Sequence, residues 1–217
     1  MSSTDMKLSH ILRKAECGEP LSSLELQFLL GLSKPDELNQ VFKLARSLRN
    51  RYFENKVFLY SFVYFSTWCR NNCTFCYYRK SNEHPRRYRK TESEVLEAAI
   101  SAAESGVHLI DLTLGEDPFY YKRYGFSSLV ELAKKVKMNT GLPIMISPGV
   151  VPAQVLSDLS LAGVDWYACY QETHNRELFK QLRLNQNYDL RFSSKQKAMQ
   201  NGLLVEDGIL AGVGETL

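Results

Sequence analysis

Apolar residues recur at helical spacing through the first fifty-odd positions, and from Lys56 the pattern changes to short apolar strands alternating with amphipathic helices. In the opening segment, Ser22 and Glu25 form a capping-box pattern ahead of the run LELQFLLGL. Pro35 sits where a helix can begin, and Leu38, Val41, Phe42, Ala45 and Leu48 then fall on one face. Two helices are predicted there. Beyond them, residues 57–65 are β-branched and aromatic and predict a first strand. Thr91 and Glu94 make a second capping box, opening a helix that ends at Ser105 and Gly106. Further strands are predicted over 108–114, 143–147, 165–172 and within 203–213. Helices are predicted over 127–138 and 152–162, with helical patterning from about 175 to 201.

Strands alternating with helices of this length imply right-handed βαβ units and a parallel sheet. The expected fold is therefore α/β, a (β/α) TIM-type barrel over 56–217 behind a helical extension over 1–55. A closed barrel needs eight units. Five can be counted, so the barrel is expected to be truncated after about five βα units, leaving an unpaired sheet edge. Such barrels place their chemistry in the loops at the C-terminal ends of the strands. Period-2 alternation puts Asp111 and Thr113 on one face of the second strand, with His108, Ile110, Leu112 and Leu114 on the other. Asp111 would then point into the barrel, where it needs either a substrate ammonium or a structural Lys or Arg partner. In the fourth strand Tyr170 and Glu172 share a face, and Glu172 can serve a ligand or cap the following helix. Ser147 ends the third strand. Arg183 and Arg191 fall in the helical stretch beyond the fourth, a placement that ordinarily means solvent.

Length and charge narrow the class. With 217 residues, 44% of them hydrophobic, the chain can bury one substantial core. A net charge of +3 argues against a dedicated nucleic-acid binder, although the run RKSNEHPRRYRK over 79–90 is locally basic. That run reads as a solvated loop beside the cysteine motif. No secretory leader pattern occurs at the N-terminus, and the most apolar run, 57–68, is too short to span a bilayer. The expectation is a cytoplasmic protein without membrane or nucleic-acid partners.

The strongest chemistry lies just after the first strand. Cys69, Cys73 and Cys76 have the spacing C-x3-C-x2-C, with Phe75 before the third cysteine. Three thiolates can hold three irons of a [4Fe-4S] cube and leave the fourth iron open to a small molecule, whereas ferredoxin clusters are closed by four cysteines. A zinc site would need a fourth ligand, for which His84 is the nearest candidate, and would make a zinc-stabilised binding module. Five cysteines are an odd count for disulfides; Cys17 and Cys169 lack cysteine neighbours and read as packed thiols.

The cysteine pattern resembles the signature of radical S-adenosylmethionine (SAM) enzymes. With it, the runs YFSTWCRNNCTFCYY, LTLGEDP, LPIMISPG, YQETHN and VEDGIL closely resemble the methylornithine synthase family, which opens pyrrolysine biosynthesis and is related to biotin synthase and the [FeFe]-hydrogenase maturase. The resemblance spans nearly the whole chain. It implies a [4Fe-4S] cluster on Cys69, Cys73 and Cys76, with SAM as cofactor near Glu172, Arg183 and Arg191. It implies L-lysine as substrate near Asp111, Ser147 and Tyr170, and an electron donor such as flavodoxin or ferredoxin. The implied reaction is a radical isomerisation of L-lysine to (3R)-3-methyl-D-ornithine through a 5′-deoxyadenosyl radical. In that family the last three strands complete the barrel, so this chain alone is expected to assemble a cluster but turn over poorly or not at all. A biotin-synthase-like or maturase-like enzyme acting on another small molecule is the alternative.

Overall fold

The computed structural model describes residues 8–214, except Tyr124 and the side chain of Arg123. The last three residues of the run ending at Leu217 lie outside the described residues. The chain divides into two compact units, one running through Val57 and one starting at Phe58. No helix among the described residues is long and apolar enough to cross a membrane.

The first unit is helical: α1 (Leu8–Glu16), α2 (Ser23–Leu30) and α3 (Pro35–Phe53). Two of these are predicted by the pattern; α1 is not, because its few apolar positions come with no capping residue. The Ser22 capping box forms as expected, with the Ser22 side chain accepting from the Glu25 amide and the Glu25 carboxylate receiving the Ser22 amide at 2.6 Å.

The second unit is a five-stranded parallel sheet in the order β1 (Tyr60–Ser66), β3 (Leu109–Leu114), β4 (Ile144–Ser147), β5 (Trp166–Ala168), β7 (Leu204–Glu206). Helices α4 (Glu92–Glu104), α5 (Ser127–Thr140) and α6 (Ala153–Leu161) connect successive strands, as the alternating pattern required. Val63, Phe65, Ile110, Leu112, Ile144 and Ile146 form one apolar face, buried with Val95 and Ala99 of α4, Leu129 and Val136 of α5, and Leu156 of α6. That core leaves the opposite face of every strand free to line a site. Register places Phe62 beside Asp111 and Thr113 beside Ser147, so the polar positions of neighbouring strands stand together at the C-terminal end of the sheet.

Two expectations are corrected. The fourth predicted strand ends at Ala168, so Tyr170 and Glu172 lie in the loop beyond β5. The loop still pairs with the segment after β7: Glu172 has φ +67, its amide donates to Gly208 O at 3.0 Å, and Leu210 N donates to Glu172 O at 2.8 Å. The helical stretch after it is also broken. Helix α7 (Arg176–Leu182) gives way to β6 (Arg183–Leu184), and α8 (Tyr188–Gln200) restarts after Asn185 at φ +60 and the N-cap Asn187. Strand β6 pairs antiparallel with β2 (Asn72–Cys73), putting Cys73 opposite Arg183. Tertiary pairing with the cysteine loop overrides the helical pattern.

Candidate active site

A cavity of about 240 Å³ opens at the C-terminal end of the sheet, and all nine site residues expected from the sequence line it. The cysteine loop forms one wall with Cys69, Cys73, Phe75 and Cys76; the strand ends contribute Asp111 and Ser147; the 170–191 segment brings Tyr170, Glu172, Arg183 and Arg191.

The cysteine loop is fastened on several sides. Arg70 N donates to Glu116 O at 2.9 Å, and Thr74 N donates to Leu182 O at 2.8 Å. Gly115 makes the close approach possible, since a Cβ there would stand 2.3 Å from Trp68 O and 3.0 Å from the Cys69 Cβ. Gln186 Nε2 donates to Cys73 Sγ at 3.0 Å, and the Asn71 main-chain N–H to Cys69 Sγ at 3.4 Å. Burial pushes the Cys69 and Cys76 thiols up from the ordinary thiol value. As thiols they are therefore largely protonated at neutral pH, and a metal centre would have to displace those protons. Among the described residues, no three His, Cys, Asp or Glu side chains converge closely enough to hold one metal ion. Thiols that line a cavity without meeting at a point suit a polynuclear centre with separate iron atoms better than a mononuclear one.

The two arginines are not solvated. Arg183 and Arg191 are both buried. Arg183 Nη2 donates to Glu172 Oε1 at 2.8 Å and to Tyr170 O at 2.8 Å. Glu172 does not cap α7, because Asn175 does so, accepting from the amides of Glu177 and Leu178. Arg191 Nη2 donates to the buried Glu116 Oε1 at 3.0 Å, and Arg70 Nε reaches Glu116 Oε2 at 2.9 Å. Each of Arg183 and Arg191 still has a buried Nε without a partner. These are donors that a bound anion could satisfy. Burial lowers the Arg183 value, and neighbouring Arg191 pulls it the same way.

Asp111 has the opposite deficit. It is 1% exposed, receives the Ser147 hydroxyl at 3.2 Å on Oδ1, and keeps a buried Oδ2 with no partner. No lysine or arginine pairs with it among the described residues. Burial pushes its carboxyl up to about 6, with Glu206 adding repulsion. Tyr170 OH donates to Glu206 Oε1 at 2.5 Å, which with burial raises the phenol. Sequence reasoning missed Glu206 as a support of this site, and read Glu116 only as a turn carboxylate that could face an amino acid, not as the partner of Arg191. Only the contacts with Arg191 and Tyr170 give either carboxylate a role, and neither spacing nor periodicity signals such contacts.

Comparison with known proteins gives the family. The radical SAM superfamily pattern matches residues 63–217. The chain is 44% identical over 200 residues to the 3-methylornithine synthase of Methanosarcina acetivorans, covering 92% of this chain and 56% of that protein. It is 32% identical over 178 residues to the [FeFe] hydrogenase maturase subunit HydE of Thermotoga maritima, covering 82% and 50%. The crystal structure of methylornithine synthase (PylB) superimposes with a TM-score of 0.86 at 43% identity, over 94% of this chain and 60% of that one. The chain thus spans little more than half the length of the curated relatives it matches.

Proposed function

The chain belongs to the radical SAM superfamily, and from that premise we propose that it carries the cluster-binding part of an isomerase converting L-lysine to 3-methyl-D-ornithine. Superfamily members use a [4Fe-4S] cluster and SAM, and the cavity suits both. Its three thiols can ligate three irons, and its two buried guanidiniums retain unfilled donors for an anionic group. When bound, cluster and cofactor supply an electron and a hydrogen-abstracting carbon radical.

The chain's own residues bind and orient. Cys69, Cys73 and Cys76 would hold the cluster. Arg183 and Arg191 receive the carboxylate at the methionyl end of SAM, and Glu172, pinned by Arg183, accepts from its amino or hydroxyl groups. Asp111 takes a lysine ammonium, which satisfies Oδ2 and restores the carboxylate to its charged form. Ser147 fixes the rotation of Asp111, and Tyr170 forms a wall held by Glu206. Tyr64 and Leu114 exclude water from the space between. An iron-sulfur protein with free thiols belongs in a reducing cytoplasm, and the electron comes from a soluble donor.

One observation carries this reading: a buried carboxylate with no cation sits in the same cavity as three cysteines and two arginines with unfilled donors. Anaerobic reconstitution tests it. About four irons and four sulfides per chain are expected, falling sharply in Cys69→Ser. SAM and L-lysine should each perturb the spectrum of the reconstituted chain, and Asp111→Asn should abolish the lysine effect alone. A single zinc per chain, or a lysine response unchanged in Asp111→Asn, would refute the proposal.

A further inference from the structure

Helix α8 buries one face, made of Arg191, Ser194, Lys195 and Ala198. Arg191 and Lys195 are four residues apart, so the guanidinium at the cavity and the Lys195 side chain lie on adjacent turns of that face. Lys195 is 5% exposed, an uncommon place for an ammonium. Its Nζ donates to Asp207 Oδ2 at 2.5 Å and to Gln171 Oε1 at 2.9 Å. Gln171 is fully buried between Tyr170 and Glu172, both of which line the cavity. Its own side chain goes to α8, where Nε2 also donates to Tyr188 O at 3.3 Å. Asp207 joins the same segment to the end of β7, since its Oδ1 accepts from Gln171 N at 2.7 Å and from Gly208 N at 2.8 Å. One ion pair, buried on its lysine side, therefore ties together α8, the 170–172 loop and the turn after β7. Neither Lys195 nor Asp207 lines the cavity.

We propose that Lys195 and Asp207 are positioning residues for the cofactor, clamping the 170–172 loop from behind so that Glu172 keeps the backbone conformation in which its carboxylate meets Arg183. The inference rests on the cofactor reading above and adds two residues to that site. Glu172 has φ +67, a left-handed conformation that is costly for a residue with a Cβ and persists only where its surroundings over-determine it. Two backbone bonds, to Gly208 O and from Leu210 N, hold Glu172 from the β7 side, and the Lys195–Gln171 link holds its neighbour from the α8 side. Without the clamp the loop relaxes toward an ordinary φ, which turns the Glu172 carboxylate away from Arg183. Tyr170 is secured separately, through its hydroxyl on Glu206 and its ring against Gly208, where a Cβ would stand 2.8 Å from the ring. The clamp therefore acts on the cofactor side of the cavity.

The test uses the anaerobically reconstituted 217-residue chain, with SAM affinity read from the spectral change of the cluster and loop order read from amide hydrogen exchange. Lys195→Met/Asp207→Asn removes both charges together, which leaves no buried ion unpaired and keeps an oxygen acceptor for the Gln171 and Gly208 amides. Gln171→Met leaves the ion pair intact and cuts only its link to the loop. Both variants are expected to bind SAM about tenfold more weakly and to exchange the Glu172 and Leu210 amides about tenfold faster, with iron content unchanged. In a Glu172→Gln background the same changes should weaken SAM binding by less than about twofold, because the residue they act through is already disabled. Lys137→Met/Asp165→Asn, which removes another lysine–aspartate pair just before β5, is the control and should bind SAM as wild type does. Three results would overturn the proposal: SAM affinity within about twofold of wild type in both clamp variants, full additivity with Glu172→Gln, or an equal loss in the control. A wild-type chain that binds no SAM would contradict the cofactor reading instead, and the amide exchange, which needs no ligand, would still decide the clamp.

Discussion

The residue that best exposes the logic of the site is Asp111. Its folded carboxyl sits near 6, above the ordinary unfolded value, so the folded state holds the proton more tightly than the unfolded chain does. The cost of ionising it is therefore absent below about pH 4, grows between about 4 and 6, and is fully present above that. Asp111→Asn removes this cost. The ligand-free variant is expected to gain up to about 3 kcal/mol at pH 7 and almost nothing at pH 4, as read by thermal or urea unfolding at the two pH values. A variant less stable than wild type at pH 7 would show that the carboxylate has a cationic partner in the protein. Gly149 marks the same economy of space. It has φ +81, and a Cβ there would meet the Glu116 side chain at 2.3 Å, the carboxylate that anchors Arg191.

At the level of elements, one side chain gathers four carbonyls in and beside the 79–90 loop. Arg87→Ala removes four donated bonds at once and leaves their carbonyls to water. The expected loss is about 2 kcal/mol of local stability, so trypsin should cut within the loop roughly 30-fold faster under native conditions. Global unfolding should shift less, because the core of β1, β3 and β4 lies elsewhere. An unchanged cleavage rate would mean that the backbone bonds of Thr67 and Lys90 suffice to fix the loop. The short β2–β6 pair serves the site in another way: it brings Arg183 to Cys73 across 110 residues of chain, with Nη1 at 3.6 Å from the sulfur.

On the largest scale described, the two outer strands of the sheet stand out. Among the described residues, β1 pairs only with β3 and β7 only with β5. The end of β1 is covered by the 88–90 segment, but Tyr60 and Phe62 are 49% and 57% exposed, and Leu204 on β7 is 54% exposed. Unpaired strands carrying apolar side chains template association. The 217-residue chain is expected to self-associate with rising concentration in sedimentation velocity, and Tyr60→Lys on the β1 edge should reduce the association. A monomer across the whole concentration range would show that these edges are protected.

Much of the fold is legible in the sequence because its determinants are local. Capping boxes at Ser22 and Thr91, glycine stops and period-2 alternation each depend on residues a few positions apart, and the parallel sheet follows from their order. The spacing of Cys69, Cys73 and Cys76 likewise sets three thiols side by side by itself, since all three lie within eight residues of one loop. Tertiary structure decided what long-range contacts alone can decide. It broke the helical pattern at Arg183 to pair it with Cys73, ended β5 at Ala168, and buried Arg191 against Glu116. It also left Asp111 without a cation, since whether a buried charge finds a partner depends on residues brought together from distant parts of the chain, which no local pattern records.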